Sequence, residues 1–230
     1  VFWGVNNTPL SYGLVDSVDH PGHNVTGVYQ AGYYVESLQL LKALVPEVET
    51  FATLSDNSET GLAHLKAVEL LAREGALPIE LVTSVATEDF AVWKRKALEL
   101  QQQVDAFFIA QYSALKDAEG RGVPAEDVAR WHLANITIPE TVGMRQFVEQ
   151  GMLCGADDSA YNQGYEAVVI AHDILSQGTS PSAYPPRAPK RGPLMVNVHR
   201  VKMLNITLDP NLQIEEYIDQ TVAAPQAAAQ

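Results

Sequence analysis

An α/β fold with parallel strands is what this sequence predicts, and three observations predict it. Short apolar runs rich in β-branched and aromatic residues alternate with longer stretches whose apolar residues recur at helical spacing. Four strand-like runs end in polar loops, at Asn6-Asn7-Thr8, Ser55 to Thr60, Gln111-Tyr112-Ser113 and Asp157-Asp158-Ser159. The chain has 230 residues, 47% of them hydrophobic, which suits one large domain or two small lobes. A helix in each crossover makes parallel pairing the expected one.

Taken in order, residues 1 to 5 form a short apolar strand that ends in the polar turn Asn6-Asn7-Thr8-Pro9. Residues 10 to 18 are expected to form a short helix, and the Pro21-Gly22 dipeptide a turn. Residues 25 to 29 form a strand. Leu38, Leu41 and Leu44 define a helix that Pro46 stops. A strand over 50 to 54 leads into the second polar loop. The helix over 61 to 74 is the clearest, with Leu62, Leu65, Val68 and Leu71 or Leu70 on one stripe and Gly75 as its left-handed cap.

A strand over 79 to 85 and a helix over 88 to 102, capped by Thr87, come next. The strongly apolar run 104 to 110 ends in the third polar loop. Pro124 opens a helix through Val128 and Trp131. A strand over 136 to 139 and a short helix over 142 to 150 precede the strand Met152-Leu153-Cys154. A helix follows from about Tyr161 to Gly178, with Tyr161, Tyr165, Val168 or Val169, His172 and Leu175 on one face. On that face His172 reads as a core histidine. The stretch 179 to 192 is irregular from its prolines, and 194 to 198 forms a last strand.

Charge narrows the function. The formal net charge is −13, which argues against nucleic-acid backbones and anionic membrane surfaces as partners. The cationic cluster Arg187 to Arg191 is broken by prolines and reads as a linker. One cysteine, Cys154, rules out an internal disulfide and reads as a buried strand residue. No apolar run is long enough to span a membrane. Phosphate-binding glycine loops, the nucleophile elbow and the zinc-helix motif are missing from the sequence, so no cofactor is expected. Asp16, Asp19, His20 and His23 are metal-ligand types, but the Pro-Gly between the histidines marks an exposed turn, and no metal is expected there. Asp157 and Asp158 are adjacent and point opposite ways on an extended chain. One of them faces a ligand, or Asp158 or Ser159 simply caps the next helix.

The blocks VFWGV–NNTP–GLV, HPGHNVTGV, LQLLKALVPEVETFATL, VDAFFIAQYS, IPETVGMRQFVEQGML and GADDSAYNQG, in this order, resemble the ABC-transporter substrate-binding family related to tryptophan- and tyrosine-binding proteins. The match runs over residues 1 to 206, and Asn24 to Val28 with the preceding Pro21-Gly22 is its most specific piece. The resemblance implies a two-lobed periplasmic-binding-protein type 1 fold, with parallel sheets flanked by helices, that closes on its ligand like a flytrap. The family places further βα units before the first strand seen here, so the chain is expected to be a fragment whose first lobe is incomplete. Residues 1–35 and 151–205 would form that lobe and 36–150 the second, with hinge strands near Tyr33 and Gly151. Residues 206–230 would be a C-terminal extension ending in a disordered tail.

The implied activity is ligand capture without catalysis, in a periplasmic or other extracytoplasmic setting. The implied partners are a small polar, amino-acid-like ligand and an ABC permease or, alternatively, a fused sensor module. An enzyme on the same frame is the less favoured alternative. Asn6, Asn7 and Thr8, Tyr29, Asp56, Asn57 and Ser58, Gln111, Tyr112 and Ser113, and Asp157 and Asp158 are the implied ligand-binding residues. The loop at Asp56 is suited to a carboxylate by the helix N-terminus that follows. Asp157 is suited to a ligand ammonium. Departures from the family pattern at Gln111, Asp158 and Gly143 to Arg145 mean that an aromatic amino acid is not assumed.

Overall fold

Among the described residues strand and helix alternate from Gly27 to Ile218. The computed structural model describes residues 1–5, 9–10 and 13–222. Asn6, Asn7, Thr8 and the tail expected to be disordered lie outside the described residues. Contacts divide the chain into two units, residues 1–32 with 158–192, and residues 33–157 with 193–230. Residues 194 to 203, expected with the first lobe, are therefore part of the larger unit.

The larger unit is built on a seven-stranded sheet. Its elements in chain order are α1 (Tyr34–Leu44), β3 (Thr50–Ser55), α2 (Glu59–Arg73), β4 (Glu80–Ala86), α3 (Phe90–Leu100), β5 (Ala106–Gln111), α4 (Ala125–Asn135), β6 (Glu140–Val142), α5 (Arg145–Glu149), β7 (Cys154–Ala156), β8 (Leu194–Asn197), α7 (Val198–Met203) and β9 (Glu216–Ile218). Strand order is β4-β3-β5-β6-β7-β8-β9. All neighbours are parallel except β7 and β8, which run antiparallel. Helices cover both faces, and β5 is correspondingly apolar at nearly every position. Ala52, Leu54, Phe107 and Ile109 pack with Trp93, Ala97, Val128 and Ala129 of α3 and α4. Phe51, Ala106 and Phe108 pack with Leu38, Leu41 and Val68 of α1 and α2.

The smaller unit holds β1 (Phe2–Val5) paired in parallel with β2 (Gly27–Tyr29), and α6 (Ala160–Gln177). Gly27 is required at the pairing, since a Cβ there would lie 2.2 Å from the Phe2 carbonyl oxygen. Helix α6 packs through Ala167 and Ile170 against Val28. That is the face opposite to the expected one. Tyr161 is 76% and Leu175 85% exposed, and Tyr165, Val168 and His172 are exposed with them. His172 is a surface residue.

Other expectations shift for identifiable reasons. Residues 13 to 18 form turns and bends where a helix was expected. The sixth strand begins at Glu140 and follows the apolar stretch 136 to 139. A buried carboxylate made the strand illegible, because its partner Arg200 lies far along the chain. Helix α5 is confined to five residues, since Val142 belongs to β6. Cys154 is a fully buried strand residue as expected, and burial pushes its thiol pKa up.

The N-cap of α3 is Asp89, and Thr87 sits two residues earlier. Asp89 Oδ1 accepts from the N–H groups of Ala91 (2.7 Å) and Val92 (3.2 Å). Thr87 Oγ1 accepts from the Asp89 N–H instead. Asp89→Ala is therefore expected to cost about 1 kcal/mol in urea unfolding, and Thr87→Ala distinctly less.

Candidate functional site

Because β3 to β7 are parallel, their carboxyl ends share one edge of the sheet, and the expected site residues of this unit follow them there. The chain leaves β3 toward β4 on one side and returns to β5 on the other. The carboxyl ends of β3 and β5 therefore flank a topological switch point, where open α/β sheets bind ligands.

Asp56, after β3, is fully buried and already engaged. Its Oδ1 accepts from the N–H (3.1 Å) and hydroxyl (2.5 Å) of Ser58, and its Oδ2 accepts from the N–H of Ala114 (2.8 Å). Ser58 caps α2 by accepting from the Gly61 N–H at 3.1 Å. The N-terminus of α2, expected to suit a ligand carboxylate, thus faces a carboxylate of the chain itself. Asn57 between them is exposed.

After β5, Gln111 Oε1 accepts from the N–H groups of Tyr112 and Ser113 and from the Ser113 hydroxyl. Tyr112 has no exposure, packs against Phe147 with ring centroids 4.3 Å apart and the planes tilted by 33°, and donates to Gln150 Oε1. Burial raises its pKa well above the usual tyrosine value. It serves as a core residue here, while Ser113 is exposed.

Asp157, after β7, receives the Arg145 N–H at 3.3 Å and lies 3.8 Å from the Arg145 Nε. Arg145 also forms a two-pronged pair with Glu216 (2.8 and 2.5 Å) and reaches Glu149 at 3.7 Å. Three carboxylates thus surround one guanidinium. Burial raises the Asp157 pKa, and Arg145 opposes that shift only in part. Beside Arg145, the Glu216 carboxyl is held below its usual range. Arg145 and Glu216 are not among the expected site residues. A lone charged residue at a helix start gives no sign that three acids converge on it from β7, α5 and β9.

In the smaller unit, Tyr29 ends β2, half-buried, and its N–H donates to the Arg187 carbonyl. Asp158 is buried and its Oδ1 accepts from Gln163 Nε2 at 3.1 Å. Ser159 is the residue that caps α6, accepting from the Asn162 N–H. His23 pairs with Asp16 on the surface at 3.0 Å. Among the described residues no three His, Cys, Asp or Glu side chains come together to hold a metal ion.

The architecture is that of a ligand-binding α/β protein of the periplasmic-binding-protein type 1 fold. The sequence model of the family described as ABC transporter substrate binding protein matches residues 1–217, and the chain belongs to that family. No curated protein matches the sequence. Among solved structures, an ABC domain in complex with L-Trp from Streptococcus pneumonia superposes with a TM-score of 0.69 at 21% identity, over 92% of this chain and 69% of that one. The ligand-free, open structure of a substrate binding protein with adhesive properties from Clostridium difficile gives a TM-score of 0.69 at 21% identity, over 94% and 69%. A conserved domain protein from Vibrio cholerae gives 0.70 at 17% identity, over 94% and 70%. At these identities the likeness is one of fold.

Proposed function

We propose that this protein captures a small polar, amino-acid-like ligand outside the cytoplasm and presents it to an ABC permease, without turnover. The observation that carries the reading is the row of polar groups along the carboxyl edge of β3, β5, β6 and β7, in a chain whose family match covers residues 1–217. The excess of carboxylate over guanidinium at Arg145, Glu149, Asp157 and Glu216 favours a ligand carrying an ammonium group, since an added cation there meets net negative charge. Asn57, exposed in the loop after β3, supplies a neutral hydrogen-bonding group on the same edge of the sheet. Ligand contacts made in one conformation and not another would shift the population toward the bound form.

Calorimetric titration with amino acids, short peptides, purines and urea-like amides tests this. One saturable ligand at micromolar or tighter affinity, recovered unchanged, is the expected result. Product formation from any member of the panel would move the assignment to an enzyme.

A further inference from the structure

On the sheet face covered by α1 and α2, three buried polar atoms have no hydrogen-bond partner among the described residues. They are Thr53 Oγ1, Ser55 Oγ and His64 Nε2. Phe51, Thr53 and Ser55 are every second residue along β3, so all three point to this face. Ser55 Oγ is turned toward the first turn of α2, where a Cβ added to Gly61 would lie 2.4 Å from it. His64 follows one turn later and is 7% exposed. Its ring packs edge-on against Tyr34, and its Nδ1 is 2.7 Å from the Tyr34 hydroxyl.

Buried hydroxyls elsewhere in this sheet are satisfied. Ser37 Oγ accepts from the Ala156 N–H and donates to the Val142 carbonyl, and Thr141 Oγ1 lies 3.1 Å from the Cys154 carbonyl and 3.2 Å from that of Ser37. Trp93 Nε1 and His132 Nδ1 also lack hydrogen-bond partners among the described residues, in the core on the opposite face, where His132 Nε2 lies 3.6 Å from Glu140 Oε2. Leaving a buried polar group unmatched is costly, so three of them on the face shared by β3 and α2 are a reason to look for what completes them.

We propose that His64, oriented by Tyr34, together with Ser55 recognises an uncharged oxygen of the ligand, an amide carbonyl or a hydroxyl. This rests on the ligand-capture function proposed above. The donor set fits the assignment. Burial lowers the His64 pKa, with Asp56 opposing in part, and in the tautomer in which the Tyr34 hydroxyl donates to Nδ1 at 2.7 Å the Nε2–H is left as the free donor. A ligand carboxylate is disfavoured here, because buried Asp56 already places one negative charge at this helix start and a second would repel it.

The test is calorimetry on the whole chain and on His64→Leu and His64→Gln, with L-tryptophan, L-leucine and L-glutamate, each beside its carboxamide, and thermal unfolding of all three proteins. Expected are tighter binding of the amide than of its parent acid by the unmodified chain, and at least tenfold weaker binding by His64→Leu. That variant should also unfold at an unchanged or higher temperature, because an unmatched polar group has been removed. His64→Gln, which keeps an N–H donor, should recover part of the affinity. Unchanged affinity in a folded His64→Leu would overturn the role of His64 and leave ligand capture standing. Tighter binding of the acids would overturn the uncharged-oxygen assignment. No binding of any probe by the unmodified chain would overturn the amino-acid-like ligand class, and this inference with it.

Discussion

Glu140→Gln is expected to destabilise the larger unit by about 3–5 kcal/mol, the usual cost of stranding one partner of a buried ion pair. Glu140 is fully buried and Arg200 is 1% exposed. Their side chains meet at 2.9 and 2.8 Å, and Glu140 Oε1 also accepts from the Leu153 N–H at 3.0 Å. Arg200 Nη2 donates as well to the carbonyls of Ile136 and Ile138. The pair thus ties α7 to β6 and to the end of α4. Replacing the carboxylate leaves the guanidinium buried without its counter-charge. Arg200→Met should cost a similar amount, and the double variant less than the sum of the two, as a double-mutant cycle in urea unfolding would show. Additive costs would mean that the pair is not coupled.

The same group sets an acid limit. Burial would raise the Glu140 pKa, but Arg200 and His132 outweigh it and hold the carboxyl at about 2, against 4.5 when exposed. A depressed folded-state pKa contributes stability that is present above pH 4.5 and lost as pH falls toward 2. Burial of His132 and His64 lowers their pKa below 6.5, which has the same sign and begins nearer neutrality. Melting temperatures should therefore be level from pH 6.5 to 9.0, above which the buried Cys154 and Tyr112 groups oppose ionisation, decline gently below pH 6.5 and steeply below pH 4.5. Glu140→Gln should flatten the steep part. A melting temperature that rises on acidification would contradict this account.

Gly155→Ala is expected to be at least as damaging, with loss of about 3 kcal/mol or more or failure to fold. A Cβ at Gly155 would lie 2.1 Å from the Val142 carbonyl oxygen and 3.0 Å from its carbonyl carbon. Both atoms belong to the backbone of the neighbouring strand, so no side-chain rotation relieves the overlap. Gly155 is paired with Val142 on one side and with Met195 on the other, so neither flank can move without opening the sheet. Gly164→Ala, on α6 with open space around the position, is the control and should be neutral or slightly stabilising. The measurement is soluble yield followed by urea unfolding of both variants.

Local pattern carried the α/β class, most helices and the buried strands β3 and β5, because continuous apolar runs and helical spacing are properties of short windows. The same windows misread α6. Tyr161, Tyr165, Val168 and Leu175 form the stronger apolar stripe, yet Ala167 and Ile170 make the contact with Val28, so the tertiary neighbour and not the stripe decides which face packs. Strand β6 and the elements α7 and β9 were illegible for a related reason. Their stability comes from partners distant in sequence, Glu140 with Arg200 and β9 with β8.

At the site, the sequence alone determined which loops follow the strands, since a polar break after an apolar run is local. What each side chain does there was decided by tertiary structure. Asp56 is consumed by Ser58 and Ala114, Tyr112 is drawn into the core by Phe147, and Asp157 shares Arg145 with two glutamates. His64 reads in sequence as one polar residue on an amphipathic helix. Only the packing of α1, α2 and β3 against one another buries its ring beside Tyr34. Hydrogen bonds and charge pairs between distant residues depend on three-dimensional proximity, which no window of the chain contains.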